Sequence, residues 1–329
     1  MKKINQNKPS IGIIGVGSIA KEHARALIYA GFHISCCTGS PGSLKAKTFA
    51  DNYKIEKVFC DSNELLQNHD KFDCLLIACS TNPTLDILKL AVKLKKPVLV
   101  EKPITLNYKD FSSLNLENEK VRVGYNRRFY STVQLAKKFV KKHSPCLISI
   151  ELPDHLNFKL KKIEQDYKSL KDNSIHALDI INYIDPDFKI LQVNEYLQPD
   201  NSFGKIVILK SSNDNTCVIK LNWNSPSNFN LSIEALPYKL ELMPFEKYKL
   251  YKGLSVLEPS EKSPIRQYMP KVIDQSDVFS KSKDFKPGFL PQAEEFLEIV
   301  RGGKPIHSAN LKDAKKASLL ASNIIDFKR

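Results

Sequence analysis

Apolar residues in the first third of the chain fall into short runs, each followed by a stretch in which they recur every three or four positions. Ser10–Gly15, Phe32–Cys37, Cys74–Ala78, Val98–Val100 and Val121–Tyr125 read as strands, with helices predicted over Ile19–Ala30, Ser43–Tyr53 and Thr84–Lys95. Such alternation predicts βαβ crossovers feeding a buried parallel sheet. After about residue 126 the pattern changes. A helix over Ser131–Lys142, a strand over Cys146–Leu152 and a helix over Ser174–Ile184 come first. Strands then follow one another at Ile190–Leu197, Lys205–Lys210, Cys217–Trp223, Asn230–Ala235 and Lys239–Leu242. Strands without intervening helices predict a largely antiparallel sheet with a helix or two on one face. Residues 257–289, rich in Pro, Ser and Lys, read as a long surface loop, and Pro291–Val300 with Leu311–Ile325 as terminal helices.

The fold class that follows is α/β: an N-terminal doubly wound parallel sheet at residues 1–124, then an α+β domain with a large, mainly antiparallel open sheet at 125–329. With 329 residues the chain exceeds the usual size of one core, so two domains are the natural division.

The net charge of +14 invites a nucleic-acid partner. The excess is mostly lysine and is spread along the chain, and its densest groups, Lys137-Lys138 with Lys141-Lys142 and Lys159 to Lys162, read as solvated helix faces. No nucleic-acid motif accompanies them. A positive field suits an anionic small substrate better, and a general lysine bias accounts for the charge equally well. The seven cysteines lack metal-ligand spacing, which points to reduced thiols in the cytoplasm and to no metal site. The apolar run Ile11 to Ala20 imitates a secretory signal but is broken by glycines and followed by a charged helical segment. No apolar run approaches the roughly 18 residues of a membrane span, so no membrane partner is expected.

Gly15-Val16-Gly17-Ser18-Ile19-Ala20 lies between the first strand and the first helix, giving G-x-G-x-x-A. In that context Gly15 permits a tight turn, Gly17 lets backbone approach a pyrophosphate, and Ala20 allows close helix–strand packing. The helix amino end adds free N–H groups and a partial positive charge. An acid that would bind a ribose hydroxyl is missing from Cys36 to Ser43. Thr38, Ser40 and Ser43, with Lys45 and Lys47 nearby, are suited to a 2′-phosphate instead, a slight lean to NADP over NAD. Glu101-Lys102-Pro103 ends the strand at Val98–Val100, at the sheet edge where open α/β sheets bind ligands.

The glycine loop, Ser80-Thr81-Asn82-Pro83, Glu101-Lys102-Pro103 and Gly124-Tyr125-Asn126-Arg127-Arg128-Phe129 occur in this order, and Asp172-Asn173-Ser174-Ile175-His176-Ala177-Leu178-Asp179 follows. Together they resemble the glucose-fructose oxidoreductase, inositol dehydrogenase and MocA (Gfo/Idh/MocA) family over nearly the whole chain. Ser174 stands where the family's D-x-G-x-H-x-x-D carries glycine, and Thr84 where histidine is often found. The resemblance implies a Rossmann domain joined to an open-sheet domain, a cis peptide before Pro103, and homodimers or homotetramers. It also implies that Lys102 bridges nicotinamide ribose and substrate, with Asp172 and His176 in the catalytic site. The cofactor-binding set is then Gly15, Gly17, Ser18, Ile19, Thr38, Ser40, Ser80, Thr81, Asn82, Glu101, Lys102 and Arg128. Asn126 joins Lys102, Asp172 and His176 around the substrate.

Moving a hydride between an alcohol carbon and nicotinamide requires a group that handles the hydroxyl proton. His176 suits that task, because imidazole changes protonation near neutrality. On a continuous helix Asp172 and Asp179 would share its face, and Asp172 is the preferred orienting partner. Lys102 either stabilises a developing alkoxide or is itself the acid/base. The function expected is an NAD(P)-dependent oxidoreductase acting on a hydroxyl or carbonyl carbon of a sugar, a sugar derivative (including nucleotide-linked sugars) or an inositol. A non-catalytic NAD(P)- and sugar-sensing regulator of the same fold is the alternative, and retention of Lys102, Asp172 and His176 argues against it. Reduction of a C=N or C=C bond is a third reading. Trp223, between Asn222 and Asn224, reads as core packing, with sugar stacking as its alternative.

Overall fold

The computed structural model describes residues 8–155, 169–199, 202–278 and 284–327; the lysines at 159–162 lie outside them. Six short strands form one all-parallel sheet: β1 (Ser10–Ile14), β2 (His33–Thr38), β3 (Lys57–Phe59), β4 (Cys74–Ile77), β5 (Val98–Val100) and β6 (Val121–Val123). Their order, β3-β2-β1-β4-β5-β6, is the doubly wound Rossmann arrangement, with the direction of winding reversing between β1 and β4. Helices α1 (Ser18–Ala30), α2 (Lys45–Tyr53), α3 (Ser62–Gln67) and α4 (Thr81–Ala91) lie between consecutive strands. β3 and α3 escape the sequence pattern because they are short and Lys57 and Val58 are exposed.

The core of this unit joins Ile11, Ile13, Leu76 and Leu99 of the sheet to Ala20, Ala24 and Leu27 of α1 and Phe49 of α2. A helix from far along the chain completes it: α7 (Phe289–Val300) buries Phe289, Ala293, Phe296 and Leu297 there, with Phe296 stacked on Phe32 at 5.9 Å. The first compact unit therefore comprises residues up to 129 together with, among the described residues, 284–319; the second comprises 130–278 and 320–327. This corrects the division at 124/125, which assigned the whole C-terminal region to the second domain. An amphipathic helix shows that it needs a core, and nothing in its periodicity says which core.

In the second unit, β7 (Leu147–Leu152), β8 (Lys189–Leu197), β9 (Phe203–Lys210), β10 (Thr216–Leu221), β11 (Asn230–Ala235), β12 (Tyr238–Leu242), β13 (Lys247–Leu257) and β14 (Gln267–Asp277) form an open sheet. Its order is β14-β13-β12-β11-β7-β10-β9-β8, antiparallel except for the parallel β7–β10 pair. Registered rows such as Ile219, Ile150, Leu231 and Leu242 make one face apolar. Helix α5 (Ser131–His143) packs on β11 and β12 and against α6 (Ile175–Ile184). The opposite face carries ion pairs such as Lys220–Glu151 at 3.2 Å and Lys239–Glu241 at 2.7 Å.

β14 lies inside the stretch predicted to be a loop, and β13 precedes it unpredicted. All but the last residue of β14 are exposed, so no alternation of buried positions betrays it. Pro270 also reads as a breaker, yet an edge strand tolerates a residue that cannot donate to the ladder. Helix α8 (Leu311–Asp326) follows the predicted bounds within one residue.

Candidate active site

The loop after β1 is dictated by backbone geometry. Gly15 has φ +95°, its N–H donates to Thr38 O at 2.9 Å, and a Cβ there would overlap the backbone of Ala78 and Cys79. Only glycine satisfies both constraints. Gly17 is different: it caps α1 in an extended conformation, and a Cβ on it would meet nothing within 4 Å. No side chain caps α1 and no acid lies in its first turn. The first N–H groups of the helix thus open onto space with Ser18 exposed and Ile19 half-buried, a seat for an anion. Ala20, fully buried, packs the helix on the sheet. This cradle fits a dinucleotide pyrophosphate.

At the end of β2 stands Thr38, one of the residues expected at the cofactor. It is fully buried and its hydroxyl donates to Gly39 O at 3.3 Å, so its side chain belongs to the interior of the sheet edge. A Cβ at Gly39 would come within 3.1 Å of Val16 Cγ2, so the neighbouring side chain leaves little room there. Ser40 remains exposed on a turn closed by Ser43 N–H donating to Ser40 O at 3.0 Å, and Lys45 and Lys47 are exposed beyond it.

Helix α4 starts at Thr81, three residues earlier than predicted, so Ser80, Thr81 and Asn82 stand at its amino end with no side-chain cap. Thr84 is buried, and its hydroxyl donates to Ser80 O at 2.9 Å with Cys79 Sγ 3.2 Å away. Threonine at this position therefore secures the first turn of the helix.

After β5, the Lys102-Pro103 peptide is cis and Lys102 is half-buried. Glu101, predicted to touch the cofactor, instead turns inward. A 2.6 Å hydrogen bond joins its Oε1 to His23 Nε2 of α1, and its Oε2 accepts the Lys102 N–H at 3.2 Å. Beyond β6, Asn126 is buried and donates to Pro287 O at 2.9 Å. Arg128, also predicted at the cofactor, is buried and pairs with Asp313 at 3.2 Å, while Asp313 accepts the Asn310 N–H at 2.9 Å. Its guanidinium thus anchors the start of α8, because burying that charge requires a partner.

In the second unit, α6 begins at Ile175, so the continuous helix carrying both carboxylates does not extend back to Asp172. Asp172 is exposed on the preceding turn, whereas His176 and Asp179 are buried on α6. Asp179 is accordingly the carboxylate in helical register with His176. Ser174 Oγ donates to Asp154 Oδ2 at 2.8 Å, and Asp154 Oδ1 accepts from His155 N–H at 3.0 Å and Asn173 Nδ2 at 3.3 Å. Asp154 was not singled out from the sequence; the serine in place of the family glycine was its only signal. Trp223 follows the packing reading, with 1% exposure and its indole N–H donating to Phe203 O at 2.7 Å.

Lys171, 1% exposed beside these residues, is pushed down by burial to about 8, against the opposing pull of Asp326. Burial pushes the Cys36 and Cys37 thiols up to about 11 and about 12, out of the nucleophilic range at neutral pH. Among the described residues, no cluster of His, Cys, Asp or Glu is arranged to hold a metal, and no helix is long and apolar enough to cross a membrane.

Comparison with known proteins agrees with this geometry. Residues 10–125 match the model of the Gfo/Idh/MocA family, described as an oxidoreductase family with an NAD-binding Rossmann fold. The chain is 27% identical over 222 residues to myo-inositol 2-dehydrogenase of Thermotoga maritima, covering 65% of each sequence. The chain thus spans just under two thirds of that relative's length. Its fold is similar to levoglucosan dehydrogenase in complex with NADH (TM-score 0.75, 16% identity, 97% of this chain and 96% of that one). It is also similar to myo-inositol dehydrogenase from Lactobacillus casei in complex with NAD(H) and myo-inositol (TM-score 0.71, 14% identity, 96% and 93%). The Rossmann strand order and the glycine loop held by β1 and β4 agree with the oxidoreductase family model that residues 10–125 match.

Proposed function

We propose that this protein is an NAD(P)-dependent dehydrogenase or reductase that moves a hydride between nicotinamide and a hydroxyl or carbonyl carbon of an inositol, a sugar or a sugar derivative. The observation that carries this reading is the pair of features at one edge of the parallel sheet. One is the uncapped amino end of α1 behind Gly17; the other is Lys102 at the end of β5. The relationship to a myo-inositol 2-dehydrogenase supports a polyol as the substrate class.

A bound nicotinamide supplies the hydride chemistry. The proton falls to the chain. In this reading the Lys102 ammonium hydrogen-bonds the reacting oxygen and stabilises its developing negative charge, worth roughly 3 kcal/mol when preorganised. His176 takes or returns the hydroxyl proton, Asp172 on the turn before α6 and Asp179 in register on that helix are the carboxylates available to orient it, and Asn126 supports substrate binding. Gly15, Gly17, Ser18, Ile19, Ser40, Ser80, Thr81 and Asn82 hold the dinucleotide. The missing acid after β2, with Ser40, Lys45 and Lys47 exposed there, supports NADP over NAD. Seven free thiols support a cytoplasmic setting. The exposed Leu254, Val256, Tyr268 and Met269 on β13 and β14 support association into homodimers or homotetramers.

The test is a fluorescence titration with NADH and NADPH, followed by a screen of inositols, sugars and sugar nucleotides for a change in cofactor redox state. Lys102→Ala and His176→Ala are each expected to lower turnover by about 10²–10⁴-fold while changing dinucleotide affinity only a few-fold. Full activity in both variants refutes the mechanism.

A further inference from the structure

His23 lies on the face of α1 that carries Ala20, Ala24 and Leu27 into the core, where an apolar residue would be the ordinary choice. Its ring is 1% exposed and meets Phe289 edge-on at 4.8 Å. A buried imidazole is costly without a partner, and the partner here is the Glu101 carboxylate at 2.6 Å. Glu101 is itself buried and both of its oxygens are engaged, one with His23 and the other with the backbone N–H of Lys102 at 3.2 Å. Gly124 walls the carboxylate on another side: a Cβ there would come within 2.6 Å of Glu101 Oε1. The seat is continuous with the sheet, because Glu101 N–H donates to Ile77 O at 2.8 Å and Gly124 N–H to Val100 O at 2.7 Å.

We propose that His23 and Glu101 form a positioning pair that ties the backbone of Lys102 to α1, so that the helix seating the dinucleotide also fixes where the Lys102 amine emerges. The pair touches neither reacting atom. It acts through Lys102, and the inference rests on the role given to Lys102 above. The Glu101 carboxylate links the ring of His23 to the Lys102 amide, and leucine on α1 would fill the space without a buried polar group and without that link.

The experiment compares His23→Leu, His23→Gln and Lys102→Ala in the full chain. Three quantities are read: kcat and KM with the polyol found by the screen, NADH affinity by fluorescence, and acetylation of Lys102 by acetic anhydride across pH in dinucleotide-free protein. The acetylation is followed by mass spectrometry with exposed Lys21 of α1 as internal reference. His23→Leu is expected to lower kcat roughly tenfold to a hundredfold, shift Lys102 acetylation relative to Lys21 about threefold or more, and change NADH affinity less than about threefold. His23→Gln keeps an amide N–H that donates to Glu101, and it is expected to restore both kcat and the acetylation profile. Wild-type kcat per folded molecule with wild-type Lys102 labelling in His23→Leu overturns the proposal, as does equal impairment of both His23 variants. Should His23→Leu fail to fold, Glu101→Gln keeps the side-chain shape while weakening both hydrogen bonds, and the same two outcomes decide. An active Lys102→Ala would instead remove the role of Lys102, whereas an inactive Lys102→Ala beside a normal His23→Leu removes only the pair.

Discussion

Gly15 and Gly17 belong to one motif, but the structure separates their work, and alanine at each should fail in a different way. At Gly15, φ +95° costs an alanine roughly 1–2 kcal/mol. Its Cβ would also overlap the Ala78 carbonyl and the Cys79 amide, and displacing packed backbone adds about 1–3 kcal/mol. The sum, about 2–5 kcal/mol, is a large part of the 5–15 kcal/mol that holds a typical domain together. At Gly17 the backbone is extended, with φ −72° and ψ −173°, and a Cβ has open space. Stability should therefore change by less than about 1 kcal/mol, the small difference between lost cap preference and reduced unfolded-state freedom.

Binding should respond in the opposite sense. A methyl group at Gly17 stands where a pyrophosphate approaches the first N–H groups of α1. Losing one or two charge-assisted hydrogen bonds of about 1.5–3 kcal/mol each weakens dinucleotide binding by about tenfold or more. Stability is read by urea denaturation followed by circular dichroism, because the single tryptophan, Trp223, lies in the second unit and does not report on the first. Affinity is read by NADH fluorescence. The reasoning is refuted if Gly17→Ala destabilises as much as Gly15→Ala, or if it binds NADH with wild-type affinity.

Lys171 provides a pH test. Its ammonium is pushed from 10.5 to about 8 in the folded chain, so between those values the unfolded chain holds more protons and the wild-type protein gains stability as pH rises. Relative to Lys171→Met, wild type should gain at most about 3 kcal/mol between pH 8 and 10.5 in urea melts, and a flat difference would contradict the burial argument. Trp223→Phe leaves Phe203 O without its 2.7 Å indole donor, so it should lose about 1–3 kcal/mol in circular dichroism melts and leave substrate KM unchanged. A raised KM at constant stability would favour sugar stacking.

Much of the first unit was legible because its chemistry is local. Strand, turn and helix follow one another within Ser10 to Ala30, and each glycine's task is set by the elements beside it. The alternating rows of β7, β10, β11 and β12 were legible for a similar reason: one buried face imposes a period of two. β14 has no buried face, and with no such constraint on its side chains its composition resembles a loop. α7 displayed its apolar stripe while concealing which unit the stripe would cover.

Three of the residues expected at the cofactor share a physical feature. Thr38, Glu101 and Arg128 stand in motifs at strand ends, where local sequence places polar groups near the crevice. Each has its polar group taken up within its own unit: Thr38 by Gly39 O, Glu101 by His23, and Arg128 by Asp313. The last two partners lie 78 and 185 residues away, and no window of sequence contains both ends of either contact. Burial decides such cases, because a carboxylate or guanidinium withdrawn from water must find a counterpart whatever its motif suggests. A motif at a strand end therefore names the residues gathered there, and long-range contacts determine which of them face the ligand and which hold the others in place.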